Sequence, residues 1–305
     1  MNNPAHRSHG IINISRQEIA LIIVTMVWGG TFLTVHLAVE YAPPFFFVGF
    51  RFVIAGLISA LAFRHYLPGL TLREFVAGVA IGTAICLGYG LQTWGLQTIP
   101  GSLSGFITAL YVPMVPLLQW LILKRAPHLM SWLGVLLAFS GLVLLSGAGT
   151  GSASLSQGEI ATLLSALAIA SEIILISKFA GQVDIRRVTV VQLFAAGLLS
   201  FASMPLTGEQ LPAFSWYWLI CGVSLAAASA VIQLTMNWAQ KSVSPTKATI
   251  IYAGEPVWAG VFGRIAGDVL PGLAITGAAL IVTGVIVSEI RPRLPRRKRP
   301  ADSPM

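Results

Sequence analysis

The chain has 305 residues, of which 55% are hydrophobic and only 10% are charged, and its formal net charge is +8. Soluble domains carry roughly 25% charged residues, so this composition excludes an ordinary water-facing surface and indicates a membrane protein. The net positive charge does not indicate nucleic-acid binding, because the basic residues lie in short segments between apolar runs.

Ten apolar runs follow one another along the chain, each long enough to cross a hydrocarbon core of about 30 Å as a helix. Strands of a membrane barrel would instead form alternating segments of roughly ten residues. We therefore predict an all-α integral membrane protein with ten transmembrane helices. The predicted helices lie near 17–38, 44–64, 74–97, 102–123, 130–148, 158–178, 188–206, 214–238, 246–265 and 270–288.

The positions of the basic residues predict the orientation of these helices. If the segment before the first helix is cytoplasmic, nearly all Lys and Arg residues outside the helices lie on that side, and Arg264 lies on the other. Cytoplasmic loops of membrane proteins carry an excess of Lys and Arg. We therefore expect both termini in the cytoplasm, with the basic tail after Arg291 close to anionic lipid head groups.

The second half of the chain resembles the first. Aligning Ile107 with Ile250 without a gap also aligns prolines and glycines that are spaced alike in the two halves: Pro113 with Pro256, Gly134 with Gly277, and Gly141 with Gly284. Because each copy holds five helices, an odd number, the second copy is inverted in the membrane. Inverted repeats are typical of secondary transporters, whose substrate binds near the midplane between the halves.

This repeat predicts four parts of the chain. The Gly- and Ser-rich segment "GAGTGSASLSQGE" is typical of a linker and separates the two halves. We expect a first five-helix repeat at 1–148, an external linker at 149–157, a second five-helix repeat at 158–290 and a basic cytoplasmic tail at 291–305.

Several short motifs carry a resemblance to a known family. They are "VWGGTFLTVHLA" in the first helix, "PPFFFVGFRFVIAGL" in the second, the paired segments "ALYVPMVPLL" and "YAGEPVWAGV", and a Gly-rich last helix in each half. In these motifs the chain resembles the EamA-type permeases of the drug/metabolite transporter superfamily. The resemblance implies a permease of the bacterial inner membrane that exports amino acids or other small metabolites. It departs from the family at Arg125, which replaces the acidic residue found at the matching position, Asp268, in the second half.

Three prolines are candidates for helix kinks or gates. Pro256, Pro113 and Pro116 lack an N–H, and their rings crowd a carbonyl one turn earlier, which frees backbone acceptors at membrane depth. Such acceptors are tolerated only where protein or a wet cavity satisfies them. A plain packing kink is the alternative interpretation.

Three charged residues inside predicted helices are the leading candidates for binding or coupling. Glu255 lies near the midplane, where it could contact a substrate amine or carry a proton. The alternative for Glu255 is a structural role, as part of a permanent ion pair or of a hydrogen bond that closes the kink. Arg51 could bind a substrate carboxylate, and its alternative role is counter-ion to Glu255 or Glu172. Glu172 requires a partner from another helix, a cavity or a proton.

Other residues within the helices could line a pocket, or could fill the core and bridge helices. These candidates are the aromatic residues Trp28, Tyr89, Tyr111, Tyr252 and Trp258 and the amides Gln92 and Gln233.

The motifs do not favour an enzyme. The sequence contains no H-E-x-x-H or G-x-S-x-G, and Cys86 and Cys221 have no metal-site spacing. We expect no cofactor and no metal, a small-molecule substrate, membrane lipid as a partner, and proton or ion coupling as an option. The favoured function is secondary transport, most simply export, of an amino acid or related zwitterion by alternating access. The alternatives are a channel or scramblase-like pore of the same fold and, less favoured, a membrane-embedded enzyme.

Overall fold

All regular elements that the structure describes are helices, as predicted. In this computed structural model the described residues are 15–124, 129–145, 155–243, 245–265, 267 and 272–289. Besides a single 3₁₀ turn at Leu67–Gly69, the helices are α1 (Arg16–Ala38), α2 (Pro44–Ala62), α3 (Leu72–Gly95), α4 (Gly101–Thr108), α5 (Tyr111–Leu123), α6 (Leu129–Leu145), α7 (Gln157–Phe179), α8 (Ile185–Thr207), α9 (Trp216–Ala239), α10 (Pro245–Tyr252), α11 (Glu255–Ile265) and α12 (Gly272–Glu289).

The lengths and composition of these helices fit a membrane protein. Seven stretches of the described residues are at least 18 residues long and apolar enough to cross a membrane, and α6 and α12 contain shorter apolar stretches. The fold is that of an integral membrane protein with ten spans in an inverted repeat of five plus five. Arg125 and Asp268, the position at which the two halves differ in charge, both lie outside the described residues.

The fourth and ninth spans are each interrupted. The predicted helix 102–123 consists of α4 and α5, and the predicted helix 246–265 consists of α10 and α11. Pro113 and Pro256 do not lie in a helix interior, because each is in the first turn of the second helix, after the break. There the missing N–H has no intrahelical partner to lose. The Ala109 carbonyl, expected to be free, accepts a bond from the Val112 amide at 3.1 Å, and Pro116 stays inside α5.

The first helix of each half begins with the same local structure. Ser15 and Glu18 form a capping box at the start of α1, and Ser156 and Glu159 form the equivalent one at the start of α7. Each pair satisfies amides that the first helical turn leaves without partners. The two starts read "SRQEIA" and "SQGEIA", a second sign of the repeat that the alignment of later helices did not include.

Contacts at both ends of the bundle bring together helix ends from different parts of the chain. At the end where α1 begins, Arg187 donates to the carbonyl of Tyr66 at 2.7 Å, which joins the start of α8 to the connection between α2 and α3. At the opposite end, the rings of Tyr41 and Tyr217 stack with centroids 4.7 Å apart. Both contacts join the two halves.

The last helices of the two halves cross at glycines. A Cβ atom on Gly141 of α6 would lie 2.5 Å from the carbonyl oxygen of Gly277 in α12, and one on Gly284 would lie 2.6 Å from that of Gly134. These are the four glycines that the repeat aligned. Each half contributes one glycine at which a Cβ would clash and one glycine whose carbonyl oxygen the Cβ from the other half would meet. Small residues at such positions let two membrane helices approach closely.

The remaining helices of the two halves interleave around the centre. The helix α2 packs against α8 and α9, and α3 packs against α7 and α8. The helix α1 packs against α9 and α11. The helix α11 also packs against α4, and α5 against α7. The helices that are interrupted therefore contact the opposite half near the middle of the molecule.

A carboxylate from the second half caps a helix of the first. Glu209, just after α8, accepts hydrogen bonds from the amides of Phe45 and Phe46 at 3.2 and 3.1 Å. These amides lie at the start of α2, whose own N-cap residue, Pro43, makes no side-chain bond. A negative charge at a helix N-terminus also interacts favourably with the helix dipole.

Glu209→Gln should lower the free energy of unfolding by about 1 kcal/mol, the usual value of an N-terminal cap. Glutamine can accept only one of the two bonds and has no charge. Thermal unfolding of the purified protein in detergent measures this as a lower apparent Tm. Glu40→Gln is the matched control, because Glu40 is exposed at the same end. Equal loss in both variants, or no loss in Glu209→Gln, would contradict the capping role.

Candidate functional site

A small cavity lies where the two halves meet. It is lined by side chains from α1, α3, α7 and α11: Trp28, Thr31, Tyr89, Gln92, Ile169, Glu172 and Glu255. Its volume of about 20 Å³ has room for about one water molecule. As the side chains lie in this structure, the cavity is too small to hold a metabolite.

Glu255 is the first residue of α11, directly after the break in the ninth span. It is 5% exposed, and its Oε2 accepts a hydrogen bond of 3.2 Å from the hydroxyl of Tyr111. Tyr111 is itself the first residue of α5, directly after the break in the fourth span. Tyr111 and Glu255 thus occupy equivalent places in the two interrupted spans, each at the start of the second helix. In the alignment that pairs Pro113 with Pro256, these two residues are offset by one position.

Glu172 is buried in α7 and is held from one side by a chain of amides. Its Oε1 accepts from Gln233 Nε2 at 2.9 Å, and Gln233 Oε1 accepts from Gln192 at 2.8 Å. Asn237 then donates to Gln192 at 3.1 Å and to Thr189 at 2.8 Å. All five side chains are buried, so this amide chain fixes the orientation of Glu172 without neutralising it.

Arg51 forms no ion pair with Glu255 or Glu172, so the counter-ion interpretation from the sequence is wrong. Its side chain is 2% exposed, and its Nε donates to Ser229 Oγ at 2.6 Å. The guanidinium lies over the ring of Tyr89, 5.0 Å from the centroid. It does not line the cavity, and Tyr89 is a side chain that contacts the guanidinium and lines the cavity as well.

The predicted aromatic residues divide into two groups. Trp28 Nε1 donates to the hydroxyl of Tyr89 at 3.0 Å, and the rings of Trp28 and Tyr252 meet edge to face at 5.2 Å, so these three lie at or beside the cavity. Trp258 does not join them, because it is half-buried and stacks on Phe262. The sequence placed Trp258 at the same depth but could not show which way its helix is turned.

The predicted amides each hold a neighbouring polar group. Gln92 lines the cavity and donates to Thr108 at 3.0 Å, while Gln233 lies behind Glu172. Sequence reasoning did not select three residues that the structure places here: Thr31 and Ile169 in the cavity wall, and Ser229 beside Arg51. Thr31 and Ser229 are hydroxyls within apolar helices, a signal too common to single out either one.

The arrangement has an excess of negative groups. Two carboxylates, one on α7 and one on α11, face a single cavity whose other walls are two aromatic rings, two neutral polar side chains and one isoleucine. A buried carboxylate is costly unless it is paired or protonated. The cavity is therefore suited to a protonated amine or to protons. In the part of the chain that the structure describes, no group of three or more His, Cys, Asp or Glu side chains could hold a metal ion.

Comparison with known proteins gives consistent matches along nearly the whole chain. A sequence model of the EamA-like transporter family matches residues 16–147 and again 156–289. An uncharacterized transporter of Archaeoglobus fulgidus is 31% identical over 275 residues, which is 90% of this chain and 86% of that protein. The uncharacterized inner membrane transporter YedA of Escherichia coli is 26% identical, over 88% of this chain and 89% of its own length.

Two further matches extend this result. Protein PagO of Salmonella typhimurium is 26% identical over 94% of this chain and 97% of its own length. A solved structure, described only as the crystal structure of a protein, superposes with a TM-score of 0.65 at 18% identity, covering 89% of this chain and 96% of that one. The solved structure shows a shared fold alone.

Proposed function

This chain belongs to the EamA-like transporter family, and from that premise we propose that it is a secondary transporter for a small metabolite that carries a protonated amine. The proposed substrate is an amino acid or a related zwitterion. The protein moves it outward across the bacterial cytoplasmic membrane by alternating access. The outward direction and the bacterial inner membrane follow from the family resemblance. The name of the Escherichia coli relative also refers to an inner membrane.

One observation carries the choice of an amine. Glu172 and Glu255 face the same closed cavity, and Arg51, the buried cation described nearby, pairs with neither. An ammonium group bound there would form charge-assisted hydrogen bonds with carboxylates that otherwise have only neutral donors. The ring of Trp28 adds a surface on which a cation can rest.

The same two carboxylates provide a means of coupling. If the amine leaves, protons can take its place, because an empty site with two ionised carboxylates is strongly disfavoured. Amine and proton then compete for one site, and each drives the other across. In this proposal Glu172 and Glu255 exchange protons for substrate, and Tyr111 and Gln233 keep their carboxylates in position.

The small volume of the cavity supports alternating access rather than a pore. A volume that admits about one water molecule does not hold a metabolite, so the halves must separate to bind and release it. The interrupted helices supply the deformable segments beside the site, which is the gating role proposed for Pro113, Pro116 and Pro256. We keep the boundaries at 1–148, 149–157, 158–290 and 291–305 for the two repeats, the linker and the tail, and we propose both termini on the cytoplasmic side.

Reconstituted transport tests this function. Liposomes with the full-length protein are loaded with a mixture of proteinogenic amino acids and uncharged sugars, and release is followed by mass spectrometry. We expect saturable release of one or a few amine-bearing solutes, faster when the receiving side is more acidic, since protons moving in then replace substrate moving out. Unsaturable release of sugars and amino acids alike would show a pore, and absence of any release would refute the proposal. An enzyme would instead convert the solutes chemically, which the same spectra detect.

A further inference from the structure

Arg51 is a buried cation with a donor that no described residue satisfies. Its guanidinium carries five N–H donors, and Nε donates to Ser229 at 2.6 Å, but the terminal Nη2 has no hydrogen-bond partner in the described structure. Buried polar groups are nearly always paired, and an unpaired buried charge is especially costly. The unsatisfied nitrogen therefore indicates that a ligand completes this site.

The surroundings of Arg51 stabilise its charge without using its donors. The rings of Phe52 and Tyr89 lie 5.3 and 5.0 Å from the guanidinium carbon, close enough for cation–π attraction. A ring face does not replace the in-plane hydrogen bonds of a guanidinium. What matches those bonds best is a carboxylate, whose two oxygens accept two parallel N–H groups.

Tyr89 separates this site from the cavity that holds the two carboxylates. Its ring packs on Arg51, and the same side chain lines the cavity with Glu172 and Glu255. The described hydrogen bond of its hydroxyl comes from Trp28 at 3.0 Å. Rotation of this side chain would break that hydrogen bond and its ring contacts with Phe52 and Arg51, and would remove one side chain that lies between Arg51 and the cavity.

We propose that Arg51 and Ser229 form the subsite for the carboxylate of the transported molecule, and that movement of the Tyr89 ring joins it to the amine subsite at Glu172 and Glu255. This inference rests on the proposed function and assigns the residues that bind the carboxylate of its zwitterionic substrate. The site gains an anion for its unpaired cation and a cation for its unpaired anions. A simple amine satisfies only half of it.

Binding to the purified full-length protein tests the subsite. The probes are the proteinogenic amino acids, each paired with the amine formed by removing its carboxylate. We expect at least one amino acid to bind about tenfold or more tightly than its amine, as a hydrogen-bonded charge pair provides. In Arg51→Gln this ratio should fall close to one while the affinity of the amine is kept. Arg64→Gln, which removes an exposed charge just after the same helix, should keep the wild-type ratio.

The outcomes separate this proposal from the function on which it rests. Glu255→Gln should weaken amino acid and amine together. A wild type that binds neither amino acids nor amines overturns both proposals. Wild-type amines that bind as well as amino acids, or a ratio that persists in Arg51→Gln, overturn the carboxylate subsite alone. A third outcome also overturns the carboxylate subsite: chloride stabilises the wild type more than gluconate does, this difference is lost in Arg51→Gln, and amino acids bind no more tightly than amines. In that case Arg51 binds a simple anion and not a substrate carboxylate. If Arg51→Gln does not fold, Ser229→Ala replaces it, and an unchanged ratio there overturns the subsite.

Discussion

Glu255→Gln should insert and fold like the wild-type protein but lose transport by about 30-fold or more. Removing one partner of a buried charged hydrogen bond costs roughly 2–5 kcal/mol, and 1.4 kcal/mol corresponds to about a factor of ten. Glutamine keeps the shape of the side chain and an oxygen for the Tyr111 hydroxyl. What it lacks is the charge that attracts an amine and the site that accepts a proton.

The measurement is flux of an identified substrate in proteoliposomes, with and without a pH gradient. The variant should lose the response to the gradient as well as the flux. Glu40→Gln, at an exposed position, serves as the control for the loss of one carboxylate. Wild-type flux in Glu255→Gln with unchanged pH dependence would remove Glu255 from the mechanism.

Glu172 provides an internal comparison. If both carboxylates contact the same amine, Glu172→Gln should also reduce flux, and the double variant should lose less than the product of the two single losses, because the second change acts on an interaction already broken. Independent losses that multiply would show that the two carboxylates act at separate steps.

Gly141→Leu should destabilise the folded protein by about 2 kcal/mol, within the usual range for overpacking. A side chain at this position has no free space, since even its Cβ would lie 2.5 Å from the backbone oxygen of Gly277. A backbone atom cannot move aside as a flexible side chain can, so α6 and α12 must separate. Thermal unfolding and the fraction of monodisperse protein in detergent measure the effect.

Ser140→Leu is the matched control for that variant. Ser140 is exposed on the same helix and its hydroxyl bonds only within the helix, to the Leu136 carbonyl at 2.9 Å. Leucine there faces the lipid side and should be tolerated. An unchanged Tm in Gly141→Leu would contradict the close crossing. Transport per folded molecule should change less than in Glu255→Gln, because these helices do not line the cavity.

The membrane explains why the spans could be predicted from sequence. A hydrocarbon core sets a minimum length for apolar helices, so the predicted span 17–38 differs from α1 by one residue at its start, and 44–64 from α2 by two at its end. The interruptions were harder to place. The signal was proline, yet the breaks precede Pro113 and Pro256, because proline is better tolerated in a first turn than in a helix interior.

The partners within the site could not be predicted in the same way. Glu172 and Gln233 are 61 positions apart, and Arg51 and Ser229 are 178 apart. Whether such residues meet depends on how each helix is turned about its axis, and spans that are apolar on all sides give no clear direction. Glu255, Glu172 and Arg51 stood out because charge is rare in lipid. Tryptophan is common in such helices, so the depth of Trp258 in its span did not show whether its side chain lines the cavity.

The amide chain behind Glu172 has a consequence for how little energy the carrier wastes. Carboxamides do not readily release their N–H protons. The hydrogen-bonded chain of Gln233, Gln192, Asn237 and Thr189 therefore does not conduct protons. Under the proposed coupling, a proton on Glu172 does not escape along it toward the end of the bundle where α8 begins. The proton stays on Glu172 until the cavity opens, so protons do not leak across the membrane between turnovers.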